Sequence, residues 1–271
     1  MLHIATVHFK SPRWIEIQAR YLREHISVPF QTWASIEQID ASYASHFDHV
    51  VAQLGPHAGK LNHLAIEISA QAAADDLLMF LDGDAFPIAE LMPAIEDGLS
   101  RAPLMAVRRA ENFDEPQPHP CFCVTTVGTW RALPGDWSEG YTWISPTGRP
   151  RSDVGGNLLR QLQLTGTPWV PLLRSNRRNP DPIFFAVYGD IVYHHASGFR
   201  RGSPSGVHRV TSGPTQLPVP SAPLIGRLAR TINARRWRRW EHATQDRRMQ
   251  QSQAFFEKIQ AGGSDWLADL I

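Results

Sequence analysis

Two aspartates one residue apart, Asp82 and Asp84, close an apolar run, Leu77-Leu78-Met79-Phe80-Leu81. A run that ends abruptly in charge reads as a buried parallel strand delivering both carboxylates at its carboxyl end, where open α/β sheets bind their ligands. Side chains alternate along a strand, so Asp82 and Asp84 point to the same side while Gly83 removes bulk between them. Carboxylates this close resist being ionised together unless a cation lies beside them, and hard oxygen ligands suit Mg²⁺ or Mn²⁺. A divalent ion with a diphosphate is the natural occupant. The plainer reading makes the aspartates caps of a turn before a helix starting near Ile88.

The surrounding pattern supplies elements to hold such a site. Leu2 to Phe9 is β-prone, and Ser11-Pro12 opens a helix on which Ile15, Ala19, Leu22 and Ile26 recur at helical spacing. Phe30 to Ile36 reads as a second strand, and Val50-Val51 as a short one in a weakly patterned region. After the loop at residues 55–59, Lys60-Leu61-Asn62 leads into a helix with Leu61, Leu64, Ala65, Ile68 and Ala72 on one face. That helix feeds the Leu77 strand; Ile88, Leu91, Met92, Ile95 and Leu99 repeat the helical spacing, and Leu104 to Arg108 returns as a strand. Short joints between alternating β and α predict a mostly parallel sheet with helices on both faces.

Beyond Arg109 the character changes. Cys121 to Val127 reads as a strand whose two cysteines are buried side chains, since two thiols cannot complete a zinc site and neighbours at this spacing do not make an unstrained disulfide. The segment 128–150 is aperiodic, with Trp130, Trp137, Tyr141 and Trp143 arguing against disorder. Asp153-Val154-Gly155-Gly156 opens a helix through Leu158, Leu159 and Leu162, and Trp169 to Leu173 and Ile191 to Tyr193 are late strands, the second running into His194-His195.

With these pieces in order the chain resembles the GT-A class of nucleotide-sugar-dependent glycosyltransferases, particularly large inverting bacterial enzymes. The block from Gly59 to Pro87 carries the likeness: Lys60 and Asn62 open a helix and Leu81-Asp82-Gly83-Asp84 ends the strand after it. Asp153-Val154-Gly155-Gly156 and Tyr193-His194-His195 sit where that family has a catalytic carboxylate and a late histidine. The resemblance implies a Rossmann-like, mostly parallel sheet flanked by helices over residues 1–202, with a nucleotide-sugar half (1–109) and an acceptor half (110–202).

It further implies roles. Asp84 would bind Mn²⁺ or Mg²⁺, Asp82 the ribose or the ion and its waters, and one of His194 and His195 would complete the site; alternation sets these two on opposite faces. Thr6, Val7 and His8 would line the nucleotide base, with Asn62 and Gly83 also on the donor side. Lys60 would reach the diphosphate, its alternative being a solvent-facing side chain. Asp153 would be the general base, its alternative a plain N-cap, and the two glycines beside it would let an acceptor approach; Ser152 stands where the family more often has a second acid, and Asp136 and Glu139 are the substitutes. The expected activity is metal-dependent transfer, with inversion, from a UDP-, GDP- or dTDP-linked sugar to a glycan or lipid-linked acceptor. Its rivals are a D-x-D phosphatase, disfavoured by Phe86 two residues after the second aspartate, and a non-catalytic binding protein of the same fold.

Residues 203–223 are rich in Gly, Pro and Ser and read as a linker to a basic helical extension, residues 224–271. The net charge of +1 conceals this: eight arginines against Glu241 and Asp246 give the stretch from Leu224 to Met249 a charge of +6 and the remainder −5. Arg227 to Arg239 could meet membrane headgroups, or the helix could pack on the catalytic domain and leave its charges in solvent. Nucleic acid is disfavoured because no reading motif accompanies the charge. The absence of a leader pattern and of a long apolar run predicts a cytosolic protein, and the basic tail adds peripheral contact at the membrane's inner face as an alternative.

Overall fold

The computed structural model describes residues 1–200, 204–263 and 265–271, so the expected boundary at residues 202 and 203 lies outside the described residues. In chain order the elements are Leu2–Phe9 (β1), Ile15–His25 (α1), Phe30–Glu37 (β2), His49–Val50 (β3), His57–Gln71 (α2), Leu77–Asp82 (β4), Ala85–Pro87 (β5), Met92–Arg101 (α3) and Leu104–Val107 (β6). Then follow His119–Thr126 (β7), Val127–Ala132 (α4), Trp143–Ile144 (β8), Pro150–Arg151 (β9), Gly156–Thr165 (α5), Val170–Leu172 (β10), Ala186–Tyr188 (β11), Val192–His194 (β12), Gly206–Ser212 (α6) and Pro223–Ala261 (α7).

Seven strands form the main sheet in the order β10-β6-β7-β4-β1-β2-β3. All neighbours are parallel except β7, which runs against both β4 and β6. The chain moves outward from β1 through β2 to β3 and then returns to place β4 on β1's other side, so the order reverses between β1 and β4. A crevice opens at such a reversal, beyond the carboxyl ends of the strands. Helix α2 covers one face through Leu61, Leu64, Ala65 and Ile68, packed with Phe80, Trp130 and Trp137. The opposite face buries Leu22 of α1 and Met92 and Ile95 of α3 against Met79 and Leu81.

The expected α/β architecture is present, with three local differences. The helix after the aspartates does not start near Ile88: Ala85–Pro87 is a strand, Ile88 donates its N–H to Ile191 O, and the α3 N-cap is Leu91. Asp82 and Asp84 therefore cap no helix. Helix α2 starts at His57, ahead of Lys60, because Pro56 has the extended backbone of an N-cap and its carbonyl accepts the Lys60 N–H. The aperiodic stretch 128–150 holds most of α4 and the hairpin strand β8, and its tryptophans are core: Trp137 is fully buried, and Trp130 and Trp137 both pack on Phe80.

The C-terminal region divides. Part of the Gly/Pro/Ser-rich segment forms α6, capped by Ser205, and His208 on it pairs with buried Asp181 at 2.8 Å. Helix α7 spans 39 residues, and its last turns bury Phe255, Phe256 and Ile259. With Trp266 and Leu270 they join Trp14, Tyr21 and Phe86 in a third apolar cluster, where the Trp266 indole N–H donates to Tyr21 Oη at 3.0 Å. Its first turns instead expose Leu224, Ile225 and Leu228 beside the arginines. Among the described residues no helix is long and apolar enough to cross a membrane.

Trp266→Ala should therefore cost about 3–5 kcal/mol of stability in denaturant unfolding. Leu228→Ala, on the exposed part of the extension, should stay within about 0.5 kcal/mol. Equal small effects would mean that the end of the chain does not belong to the core.

Candidate functional site

The turn after β4 folds back over the end of β1. Gln18, a polar residue on the apolar face of α1, spends its whole amide on it: Nε2 donates to Asp82 O and Ala85 O, both at 2.8 Å. Its Oε1 accepts from Thr6 Oγ1 at 3.1 Å and lies 3.2 Å from His8 Nε2. Because that oxygen can only accept, His8 Nε2 carries the hydrogen, and burial lowers the His8 pKa to about 4, keeping the ring neutral. Thr6, Val7 and His8 are all buried here, at the crevice end of β1. Gly83 is obligatory: a Cβ there would stand 2.5 Å from Val7 O and 2.7 Å from His8 Nδ1.

Strand β5 next pairs with β12, setting Pro87 opposite Val192, Phe86 opposite Tyr193 and Ala85 opposite His194. The pairing continues one residue further, where the His195 N–H donates to Asp84 O at 3.0 Å. This register brings His194 Nε2 to 3.4 Å from Asp84 Oδ1 and 3.6 Å from Asp82 Oδ2. Among the described residues Asp82, Asp84 and His194 are the one group of three or more acidic, histidine or cysteine side chains placed to hold a metal ion. Ligands at about 2.1 Å around an octahedral ion lie roughly 3 Å apart, so small shifts would close this set. Two carboxylates and an imidazole suit a divalent ion.

His195 is not part of this group. Alternation turns it to the other side of β12, where its Nδ1 is hydrogen-bonded with Tyr193 Oη at 2.9 Å and its ring packs on Trp14, Phe185 and Phe199. Burial there pushes its pKa well below the ordinary value, and the neighbouring His194 and Arg13 push the same way.

Three histidines surround Asp82. Burial alone would raise its carboxyl, but His57, His119 and His194 together hold it well below the usual carboxylate range. His57, the first residue of α2, lies closest, with Nε2 2.9 Å from Asp82 Oδ1. Although partial desolvation opposes it, the Asp82 carboxylate raises the His57 pKa. The His119 ring lies 6.0 Å from that of His194, and desolvation, with Arg109 acting the same way, lowers its pKa well below the ordinary value. Neither His57, His119 nor Gln18 stands out in the sequence as a site residue; the one signal is that Gln18 occupies an apolar position of an amphipathic helix.

The other candidates have partners of their own. Lys60 is buried, ion-paired with Glu37, with its Nζ over the Phe9 ring, so it is neither solvent-facing nor free for a diphosphate. Asn62 donates to Asp136 Oδ1 at 2.6 Å and accepts the Trp137 N–H at 2.9 Å, tying α2 to the loop that follows α4. Asp136 is further saturated by Ser138 and Asn157, and Glu139 accepts from Ser152. Asp153 lies before α5 without capping it: the N-cap is Gly155, at φ +89°, and Asp153 Oδ1 accepts the adjacent Val154 N–H. Its Oδ2 pairs with Arg109 at 3.0 Å, and Arg109 also binds buried Glu115 at 2.8 Å. The space beside the two glycines is filled by the chain itself, since a Cβ on Gly155 would meet Pro118 O at 2.1 Å and one on Gly156 the Tyr141 N at 2.8 Å. The two glycines thus open no space for an acceptor, while the Asp153 side chain beside them stays part-exposed.

No protein-family model matches the chain, and no curated protein sequence matches it. Among solved structures it is similar to the apo form of the Streptococcus pneumoniae glycosyltransferase GlyE, at 12% identity over 63% of this chain and 44% of that one, TM-score 0.40. It is also similar to S. aureus TarS 1–349 in complex with UDP-GlcNAc, at 11% identity over 64% and 58%, TM-score 0.36. A third likeness is to the galactosyltransferase LgtC in complex with donor and acceptor sugar analogs, at 10% identity over 48% and 59%, TM-score 0.32. The chain thus spans about half the length of these structures.

In calorimetric titrations with Mn²⁺, Asp84→Asn and His194→Ala should each weaken binding by at least about tenfold. His195→Phe, on the other side of the strand, should leave it unchanged; an equal loss would show that the ion is held elsewhere. Gly83→Ala should lower stability by about 1–3 kcal/mol in denaturant unfolding through overpacking at the end of β1.

Proposed function

We propose that the chain is a metal-dependent glycosyltransferase that moves a sugar from a nucleoside-diphosphate donor to a glycan or lipid-linked acceptor with inversion. One observation carries this reading: an Asp-Asp-His donor set stands at the carboxyl end of β4, beside β1, where the strand order reverses. In this reading Asp82, Asp84 and His194 hold a divalent ion, and the imidazole favours Mn²⁺ over Mg²⁺. Such an ion, when bound, neutralises charge on the departing diphosphate.

The protein's own groups do the rest. The donor's base is placed over the end of β1, where the Thr6 and His8 side chains are buried and already committed to Gln18. His57 holds one oxygen of Asp82 and leaves the other facing His194, which fixes the carboxylate's orientation. Asp153 is the proposed base, accepting the proton of the acceptor hydroxyl as that oxygen attacks the anomeric carbon from the face opposite the leaving group. Arg109 orients Asp153 and is itself anchored by Glu115. The raised Arg109 pKa reflects burial outweighed by the Glu115 carboxylate, with Tyr188 and Asp153 acting in the same direction.

Calorimetry with UDP, GDP, CDP and dTDP, each with and without Mn²⁺, tests the reading. One nucleotide should bind with Mn²⁺ and at least about tenfold more weakly without it, and Asp84→Asn should abolish the difference. If no nucleotide binds under any condition, the donor site is wrong.

A further inference from the structure

A cavity of about 350 Å³ lies where the β8–β9 hairpin meets α6 and α7. Arg149, Arg151 and Arg209 line it together with Phe113 and Trp237, and no carboxylate does. Arg209 is paired with Glu241 at 3.1 Å, whereas among the described residues neither Arg149 nor Arg151 has a carboxylate partner. The Arg151 guanidinium lies 3.9 Å over the Phe113 ring, which fixes its plane. Its Nε and the Trp237 Nε1 are buried donors with no hydrogen-bond partner among the described residues. Gly206 allows the walls to close: a Cβ there would stand 2.7 Å from Arg151 Nη2 and 2.8 Å from the Phe113 ring.

Unspent buried donors beside uncompensated positive charge call for an anionic acceptor of hydrogen bonds, and planar guanidinium groups match an oxyanion. With the Phe113 ring covered by Arg151, Trp237 is the aromatic wall that suits the apolar face of a sugar ring. Position links the cavity to the first site. Phe113 belongs to the loop between Arg109 and Glu115, and Arg151 lies two residues before Asp153, so the segments that hold the Arg109–Asp153 pair also build the cavity.

We infer that this cavity recognises an oxyanion, phosphoryl or carboxylate, carried on a saccharide, so that the acceptor is an anionic glycan. The choice of acceptor rests on the glycosyltransferase reading; the anion site itself does not.

The test is calorimetry on the full chain freed of metal with EDTA, using glucose 6-phosphate, glucuronate, inorganic phosphate and glucose as probes. One of the two charged sugars should bind at least about tenfold more tightly than glucose and than phosphate, and which one does identifies the oxyanion. Arg149→Gln, an exposed side chain whose loss leaves the fold intact, should weaken that binding, and the Arg149→Gln/Arg151→Gln pair should weaken it by at least about tenfold. Unchanged binding to the double variant, binding of glucose as tight as that of the charged sugars, or no binding at millimolar concentration would overturn the inference. Phosphate bound as tightly as glucose 6-phosphate would overturn the saccharide part. Mn²⁺-dependent nucleotide binding is measured on the same samples: its failure alone sinks the donor site, and failure of the sugar arm alone sinks the cavity.

Discussion

The side chain of Gln18 is the contact on which the site depends. Both of its amide hydrogens go to the carbonyls that flank the Gly83-Asp84 turn, and its oxygen meets Thr6 and His8 on β1. An amide carbonyl buried without a partner costs on the order of 1–3 kcal/mol, and Gln18 satisfies two while joining a helix, a strand and a turn. The turn also lies so close to Val7 O and His8 that no side chain fits at position 83. Together these contacts leave Asp82 and Asp84 little freedom except in their carboxylates, which is how a site gains its geometry before any ligand arrives.

The third member of the group arrives by a longer route. His194 faces the aspartates because β12 pairs with β5, and β12 is held from behind by aromatic packing: Tyr193 contacts Phe86 and Trp266, and His195 contacts Trp14 and Phe199. Trp266, Phe256 and Ile259 come from the C-terminal extension. The end of that extension is therefore part of what positions His194, although its earlier turns are exposed and basic. The extension joins two different objects in one helix, which is why its charge pattern alone does not describe it.

Around Asp82 the electrostatics are divided by burial. His119 and His8, deep in the protein, are driven toward the neutral form, while His57, bonded directly to Asp82, is driven toward the charged one. His57 on one oxygen helps hold the Asp82 carboxyl low without taking the oxygen that faces His194.

The sequence by itself determined the first half of the fold and the carboxylate pair. An apolar run ending in Asp-Gly-Asp and amphipathic faces such as Leu61-Leu64-Ala65-Ile68 are local patterns, and local patterns survive in one dimension because each residue's neighbours along the chain set its burial. Alternation along a strand likewise separated His194 from His195, though not which of them faced the aspartates. That choice, the spending of Lys60 on Glu37 and of Asn62 on Asp136, and the Arg109 pair at Asp153 were decided only by tertiary structure. So were α6 and the docking of Trp266, 245 residues from its partner Tyr21. The physical reason is common to all of them. A long polar side chain takes whichever partner the packed chain brings within about 3 Å, and that partner is a property of strand order and register, not of the residues beside it in sequence.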